Sequence, residues 1–377
     1  MPREIIERLK KIYRVNLNVR PDDRVLVFTD LVAEGEKTDE IGLKRRKGLI
    51  RIARAAVDAA REIGLEAVYS EFPALGSHGT EPGEELWKLA FGEGAVRALN
   101  EKGLLSKIRL KTASPAETRA AREIVSGEKS SAVSVVVALS NYSTSHTRFR
   151  DMLTSEAGAR YASMPLFEED MLFGSMEADW GEVAERSRRI AIAIDGADTV
   201  RITTPDGTDI TFGIKGRVPM VDTGILSEPG AFSNLPAGEV YLAPVEGTGE
   251  GVLMLLWAPD RKLSNPVTVK VRGGRAAEVD GDEPFVEEFR ASLDNAPGNR
   301  NLAELGIGTN DRATKPDNVL ESEKIFGTIH LAFGDNSSFG GTVSTPFHQD
   351  FVFFKPTLYV SRGGITETII NSGKLEI

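Results

Sequence analysis

The first half of the chain alternates short apolar runs with helical patterns. The apolar runs cover residues 24–30, 66–72 and 131–139. Runs of this length, rich in β-branched residues, are typical of strands buried on both faces. Helices are predicted over about 41–64, 84–100, 115–126 and 179–197. Strands that alternate with helices predict a parallel sheet joined by right-handed crossovers.

The pattern changes near Thr199. Two short β-prone runs flank Asp206-Gly207, and two more flank the segment 272–275, so each pair predicts a β-hairpin. Short strands continue toward the end of the chain with few helices. The predicted fold class is therefore α/β, with an N-terminal parallel α/β domain over residues 1–190 and a β-rich α+β domain over residues 191–377.

Length and composition narrow the class of protein. A chain of 377 residues favours two domains, and a net charge of −10 argues against a nucleic-acid binder. Cysteine is absent, which excludes disulfides and thiol nucleophiles and is consistent with a thermophilic source. The charged N-terminal segment does not read as a signal peptide, and no apolar run approaches a membrane span. We expect a cytoplasmic protein with no membrane partner.

Side chains that could bind a metal are most concentrated near the C-terminus. His348 and Asp350 are two residues apart in strand-like sequence, and His330 lies in a similar segment before them. Alternate residues of a strand share a face, so His348 and Asp350 would present an imidazole beside a carboxylate. Two histidines and one carboxylate can hold a divalent metal and leave positions open. The alternative is a hydrogen-bonded core histidine beside a turn aspartate.

Two glutamates also interrupt apolar segments. Glu239 and Glu304 each have apolar neighbours on both sides. Such glutamates are costly to bury without a cation or a hydrogen-bonding partner, although on an edge strand they would face solvent. Together with His330, His348 and Asp350 they make five ligand-type residues in the C-terminal half. This coincidence predicts a metal site in the second domain.

Four segments resemble the metal-binding segments of the aminopeptidase T family, which are dinuclear, leucyl aminopeptidase-like metallopeptidases. They are residues 234–240, 303–309, 327–334 and 348–350. The resemblance implies two divalent ions (zinc, cobalt or manganese) and a homodimer. The implied metal ligands are Glu239, Glu304, His330, His348 and Asp350, and the two glutamates are also the implied catalytic carboxylates.

The sequence departs from this family at one position. Its members carry a catalytic-site tyrosine a few residues after the first histidine, but residues 330–339 contain no tyrosine. Tyr241 is the candidate replacement, because it lies two residues after Glu239 and would share its strand face. The departure leaves metal binding untouched and weakens the case for peptidase activity.

The same residues also resemble the iron-dependent dihydroxypyridine ring-opening dioxygenases. In that resemblance His330, His348 and Asp350 form a facial triad on one Fe(II). Residues 143–150 and 158–165 are more similar to this branch than to the peptidases. His146 would then act as a base or a substrate ligand, or else belong to a loop that caps a helix.

The number of candidate ligands favours the aminopeptidase over the dioxygenase. A facial triad would leave Glu239 and Glu304 without a metal, so the prediction is an aminopeptidase that hydrolyses peptides with a metal-activated water. The alternative is a dioxygenase with one Fe(II) that acts on a dihydroxypyridine-like aromatic small molecule. A metal-stabilised binding protein without catalysis is a third possibility.

Overall fold

A computed structural model describes residues 2–377, which form two compact units. The first comprises the described residues up to Met176 together with Gly224–Leu235, and the second comprises Glu177–Thr223 and Pro236–Ile377. Within residues 2–377, no helix is both long and apolar enough to cross a membrane. The domain boundary expected near residue 190 stays a prediction.

The four predicted helices are present, one of them interrupted, and the structure contains further helices that were not predicted. The helices are α1 (Arg3–Lys11), α2 (Glu40–Glu62), α3 (Glu84–Phe91), α4 (Glu93–Glu101), α5 (Leu104–Arg109), α6 (Pro115–Gly127), α7 (Arg148–Ser155), α8 (Trp180–Ile194), α9 (Pro284–Asp294) and α10 (Val319–Ser322). A π-helical turn (Ile12–Asn16) extends α1, and short 3-10 helices cover Lys129–Ser131, Glu169–Phe173, Ser175–Glu177 and Pro297–Arg300. The single helix predicted over 84–100 is two helices, because Gly92 takes a positive φ of 86° between them.

The strands form three sheets. They are β1 (Arg24–Leu31), β2 (Glu66–Pro73), β3 (Val135–Ala138), β4 (Arg160–Ser163), β5 (Thr199–Thr203), β6 (Asp209–Gly213), β7 (Met220–Asp222), β8 (Phe232–Asn234), β9 (Glu239–Leu242), β10 (Glu250–Trp257), β11 (Lys262–Arg272), β12 (Arg275–Asp280), β13 (Leu302–Gly308), β14 (Ile329–Gly334), β15 (His348–Phe353), β16 (Thr357–Arg362), β17 (Ile365–Asn371) and β18 (Lys374–Leu375). The first unit contains the sheet β2-β1-β3-β4-β8.

The sheet of the first unit is parallel throughout, as the alternation of strands and helices predicts. Its central strands are continuous apolar runs because helices and loops cover both faces. Phe28 of β1, Val136 of β3 and Tyr161 of β4 are fully buried and pack into one apolar cluster with Trp87 and Phe149.

The second unit contains two antiparallel sheets. Their strand orders are β12-β11-β10-β6-β5-β16-β17-β18 and β15-β14-β13-β9-β7. Both predicted hairpins are present, as β5–β6 and β11–β12. One apolar cluster draws on both sheets, for example on Phe212 and Leu305, and on Phe289 of α9. The α/β fold class with a β-rich second part is therefore confirmed.

Candidate metal centre

The predicted site residues lie on one face of the antiparallel sheet β15-β14-β13-β9-β7. They are Glu239 and Tyr241 on β9, Glu304 on β13, His330 on β14, and His348 and Asp350 on β15. The residues between them point to the opposite face and enter the apolar core, among them Leu305, Leu331 and Phe351. Period-two alternation therefore separates a polar face from a core face along the same strands.

Strand register brings the carboxylates together. Asp350 pairs with Ala332 on β14, and Ala332 pairs with Glu304 on β13. The two acidic residues therefore flank an alanine in one row across three strands. Because the alanine side chain is a single methyl group, the longer side chains of Glu304 and Asp350 can converge above it.

A glycine makes room for the first histidine. Gly306 pairs with His330 across β13 and β14. A Cβ added at Gly306 would lie 1.9 Å from His330 Nε2, so the imidazole ring lies directly over the glycine. Any side chain at residue 306 would force the ring out of its present position.

The first cluster of donors consists of Glu304, His348 and Asp350, whose ligand atoms lie within 4.8 Å of one another. His348 Nε2 is 3.2 Å from Glu304 Oε2 and 3.5 Å from Asp350 Oδ2. His348 Nδ1 is 2.8 Å from the main-chain oxygen of Asp335. A carbonyl can only accept, so the proton lies on Nδ1 and leaves Nε2 available to a metal.

The second cluster consists of Glu239, Glu323 and His330. His330 Nε2 is 3.4 Å from Glu239 Oε2 and also 3.4 Å from Glu304 Oε1. Glu304 therefore presents one oxygen to His330 and the other to His348. This is the geometry of a carboxylate that could bridge two ions.

The donor atoms fit a divalent ion. Ligands about 2.0–2.1 Å from a tetrahedral ion lie roughly 3.3 Å from each other. The histidine–carboxylate separations of 3.2 to 3.5 Å match this spacing. Two carboxylate oxygens, Glu239 Oε2 and Asp350 Oδ1, are also buried without a hydrogen-bond partner among the described residues. Such atoms are costly to leave unpaired, and a metal ion with its water ligands would satisfy them.

Two residues of the site were not predicted from the sequence. Lys324 is 1% exposed, and its Nζ lies 2.8 Å from Glu239 Oε1 and 2.9 Å from Glu323 Oε2. Glu323 and Lys324 follow the short helix α10 in a charged segment, which by composition alone suggests a solvent-exposed loop. No local pattern marks this segment as interior, because its burial depends on the sheet it packs against.

Proton affinities in the cluster are set by burial and by neighbouring charges. Burial alone would lower the pKa of His330, but hydrogen bonding to Glu304 and nearby carboxylates raise that pKa to about 9. The pKa of His348 is raised in the same way, chiefly by Asp350. Burial raises the pKa of Glu323 to about 7. Without metal, protons on the imidazoles balance the carboxylates, so metal binding would release protons.

Two aromatic residues adjoin the donors. The ring centroids of Tyr241 and Phe339 are 5.9 Å apart, and Phe339 lies edge-on to the His348 ring at 6.0 Å. Burial, with contributions from Asp222 and Glu239, raises the pKa of Tyr241 well above its usual value. The Tyr241 hydroxyl is therefore protonated at neutral pH and is able to donate a hydrogen bond.

The connection between β14 and β15 is an ordered cap beside the donors. Asn336 is fully buried, donates to Glu246 Oε1 at 3.0 Å and accepts from Val343 N at 2.9 Å. Glu246 Oε1 also accepts from Thr342 N, and its Oε2 pairs with Arg217. These contacts hold the segment that carries Phe339.

The structure brings all five predicted ligands together but groups them in an unexpected way. Glu304, and not His330, lies in the compact cluster with His348 and Asp350. The remaining histidines belong to the first unit. His78 accepts a hydrogen bond from Ser143 N, and His146 precedes Thr147, which caps α7.

These clusters define a candidate metal centre on an antiparallel sheet, within a two-part α/β fold. The family model of 2,5-dihydroxypyridine 5,6-dioxygenases (NicX) matches residues 131–376, which is more than half of the chain. The chain therefore belongs to this family of enzymes. No curated protein matches the chain.

Two solved structures share the fold. The 2,5-dihydroxypyridine dioxygenase from Pseudomonas putida KT2440 has a TM-score of 0.67 and 17% identity, with 98% of this chain and 96% of that chain covered. Wild-type AmpT from Thermus thermophilus has a TM-score of 0.57 and 16% identity, with 100% and 99% covered. Both resemblances seen in the sequence are thereby confirmed.

Proposed function

We propose that this protein is an Fe(II)-dependent dioxygenase that opens the ring of a dihydroxypyridine-like substrate. The observation that carries the proposal is the compact donor cluster of Glu304, His348 and Asp350. Three donors on β13 and β15, the two strands that flank β14, can hold one ion and leave positions open for substrate and oxygen. The membership in the dioxygenase family supports the same choice.

Glu239 does not require a second metal ion. In a one-metal centre its carboxylate still has a cation to contact. Glu239 Oε1 contacts the Lys324 ammonium at 2.8 Å, so its charge has a partner without a metal. Glu304 belongs to the compact cluster and serves the single ion directly.

The neighbouring side chains suit a hydroxylated aromatic ring. An Fe(II) ion held by the compact cluster would supply a redox-active metal with open positions, through which the electron-rich ring of the substrate could reduce dioxygen. Phe339 and Tyr241 offer aromatic surface beside His348. The Tyr241 hydroxyl can donate a hydrogen bond to a substrate oxygen, and Glu239 Oε2, which lacks a hydrogen-bond partner, can accept the proton of a substrate hydroxyl.

A dinuclear aminopeptidase is the second candidate, and one observation favours it. Glu304 presents Oε1 toward His330 and Oε2 toward His348, as a carboxylate that bridges two ions would do. Two ions in that arrangement would activate a water for peptide hydrolysis. The stretch after His330 has no tyrosine, however, and the aromatic ring that contacts His348 is that of Phe339, which has no hydroxyl to polarise a carbonyl.

Parallel assays separate the two functions. The protein is loaded anaerobically with Fe(II), and oxygen uptake is recorded with 2,5-dihydroxypyridine as the probe. Separate samples loaded with zinc, cobalt or manganese are tested on a leucyl anilide. The proposal predicts oxygen uptake that requires iron and is absent from His348→Ala. Anilide hydrolysis without oxygen uptake would overturn it in favour of the peptidase.

A further inference from the structure

Lys324 is a fully buried cation inside the second donor cluster. Its ammonium nitrogen lies within 3 Å of one oxygen of Glu239 and one oxygen of Glu323, which are two of the three residues of that cluster. A buried lysine is costly unless its charge is compensated, and here two carboxylates compensate it. The position of this side chain is therefore tied to the carboxylates.

The same carboxylates would otherwise need a different cation. Glu239, Glu323 and His330 offer two carboxylate oxygens and one imidazole nitrogen within 4.8 Å, which is a sufficient donor set for a divalent ion. Asp222 pairs with Glu239 on the adjacent strand β7 and adds a further negative charge. Three carboxylates, Glu239, Glu304 and Glu323, thus lie around His330, and the Lys324 ammonium already supplies one of the positive charges that balance them.

We propose that the Lys324 ammonium takes the place of a second metal ion, so that this centre holds one divalent cation at Glu304, His348 and Asp350. The inference deepens the proposed function and rests on its one-metal centre. Lys324 is then a residue that sets metal number. It contacts no substrate and acts by occupying oxygens of Glu239 and Glu323 and by repelling a second cation.

Metal counting on a lysine variant tests the proposal. Lys324→Met removes the charge but keeps an unbranched side chain of similar length. The probe is Mn(II), added in excess to the full chain, with unbound ion removed by gel filtration and the rest counted by elemental analysis. We expect one Mn(II) per chain in the unaltered protein and two in Lys324→Met. Exchange coupling between the two ions, visible by electron paramagnetic resonance, would place them at adjacent sites.

Two control variants isolate the effect of the charge. Lys324→Arg keeps a cation and is expected to bind one ion. Lys270→Met makes the same chemical change at an exposed lysine paired with Glu278 in the second unit, and it too is expected to bind one ion. Two ions in either control would show that the count does not depend on the Lys324 charge, and would overturn the inference.

The inference can be overturned even if Lys324→Met does not fold. Two ions in the unaltered protein would overturn the inference without any variant, and so would a folded Lys324→Met that still binds one. Oxygen uptake reports separately on the proposed function. If the unaltered protein binds one ion and Lys324→Met binds two, but no oxygen is taken up, the role of Lys324 stands and the dioxygenase is rejected. If the unaltered protein binds two ions and takes up oxygen, the dioxygenase stands and the role of Lys324 is rejected.

Discussion

At the scale of single residues, the position of each donor depends on what lies across the sheet from it. His330 lies over Gly306, and the carboxylates of Glu304 and Asp350 converge over Ala332. Small residues on the polar face are therefore as necessary to the centre as the donors are. A metal site on a sheet needs free volume above the strands, and glycine and alanine provide it.

Gly306→Ala tests this dependence. Its Cβ would lie 1.9 Å from His330 Nε2, so the ring must move and the cluster loses its present geometry. We expect metal affinity to fall about 10–100-fold, because the displaced ring would no longer lie 3.4 Å from Glu304 Oε1 and would cease to orient that ligand. Isothermal titration with Mn(II) measures it. Gly48→Ala, where nothing lies within 4 Å of the added Cβ, is the matched control and should bind metal normally. Unchanged affinity in Gly306→Ala would mean that His330 does not need its present position.

His348→Ala tests the assignment of the compact cluster. Removing Nε2 takes away the donor that lies between Glu304 and Asp350. We expect the metal content found by elemental analysis to drop to near zero. His78→Ala removes a histidine of the first unit that accepts a backbone hydrogen bond, and it should keep a full metal content. A His348→Ala protein that retained its metal would refute the assignment.

The sequence predicted the donors on strands better than the charged residues on loops. Glu239, Glu304 and His330 could be found because each interrupts an apolar strand pattern, where a polar side chain requires an explanation. Glu323 and Lys324 could not, because a charged segment after a short helix is usually exposed. Their burial arises from packing against the sheet, which no local pattern encodes.

At the scale of elements, the connection from β14 to β15 positions both Phe339 and His348. The Asp335 carbonyl orients the His348 ring, and buried Asn336 ties the connection to Glu246. Gly341 passes so close to Asn336 that an added Cβ would lie 1.9 Å from its side chain. Polar contacts therefore hold the connection, and a substitution at Asn336 would remove several of them.

Asn336→Ala should loosen this connection. The change leaves Val343 N without its acceptor and Glu246 without one donor, which should lower the free energy of unfolding by about 1–3 kcal/mol. Urea unfolding measures the loss, and hydrogen exchange of residues 335–347 should accelerate. Ser337→Ala, at an exposed residue whose side chain hydrogen-bonds to Asp335, should change neither. Unaltered exchange in Asn336→Ala would show that Asn336 does not hold the connection.

Periodicity predicted whether a segment is a helix or a strand. It did not predict where each element ends or which distant strands pair. The parallel sheet and both hairpins were predicted from apolar runs and turn residues. The break at Gly92 was not, because a glycine inside a helical pattern is often tolerated. The pairing of β8 with β4 could not be predicted from the sequence either, because the two strands are distant in the sequence and only three or four residues long.

At the scale of the molecule, buried charge in the first unit makes its stability depend on pH. Asp23 pairs with Arg160, and both side chains are less than a tenth exposed. Burial would raise the pKa of Asp23, but hydrogen bonds from Arg20 N, Arg160 and Ser134 outweigh it and lower the pKa below 3.8. A lowered folded pKa gives stability that is present above the unfolded value and is lost as pH falls through the folded value.

Asp23→Asn should therefore lower the free energy of unfolding most at neutral pH. Breaking a buried pair leaves Arg160 uncompensated, and we expect a loss of about 3 kcal/mol at pH 7. Below the usual aspartate pKa the difference from the unaltered protein should shrink. Urea unfolding at both pH values measures it. Glu71→Gln, at the exposed pair with Arg54, should cost less than about 1 kcal/mol. A difference independent of pH would contradict the role of the Asp23 charge.

The whole fold alone does not choose the reaction. Solved structures named for a dioxygenase and for AmpT both share it, so the chemistry depends on the donors and their neighbours. The aminopeptidase predicted first from the sequence is supported only in part, because the family that the chain belongs to is named for a dioxygenase. The expected homodimer stays a prediction.

The most direct test of the account is the oxygen balance during turnover. The Fe(II)-loaded protein is given a limiting amount of 2,5-dihydroxypyridine in a closed oxygen electrode. A dioxygenase places both oxygen atoms in its product, so we predict that one O₂ disappears per substrate molecule and that ¹⁸O₂ adds two labelled atoms. Substrate left intact with no oxygen consumed, while the protein carries iron at its compact cluster, would contradict the central claim.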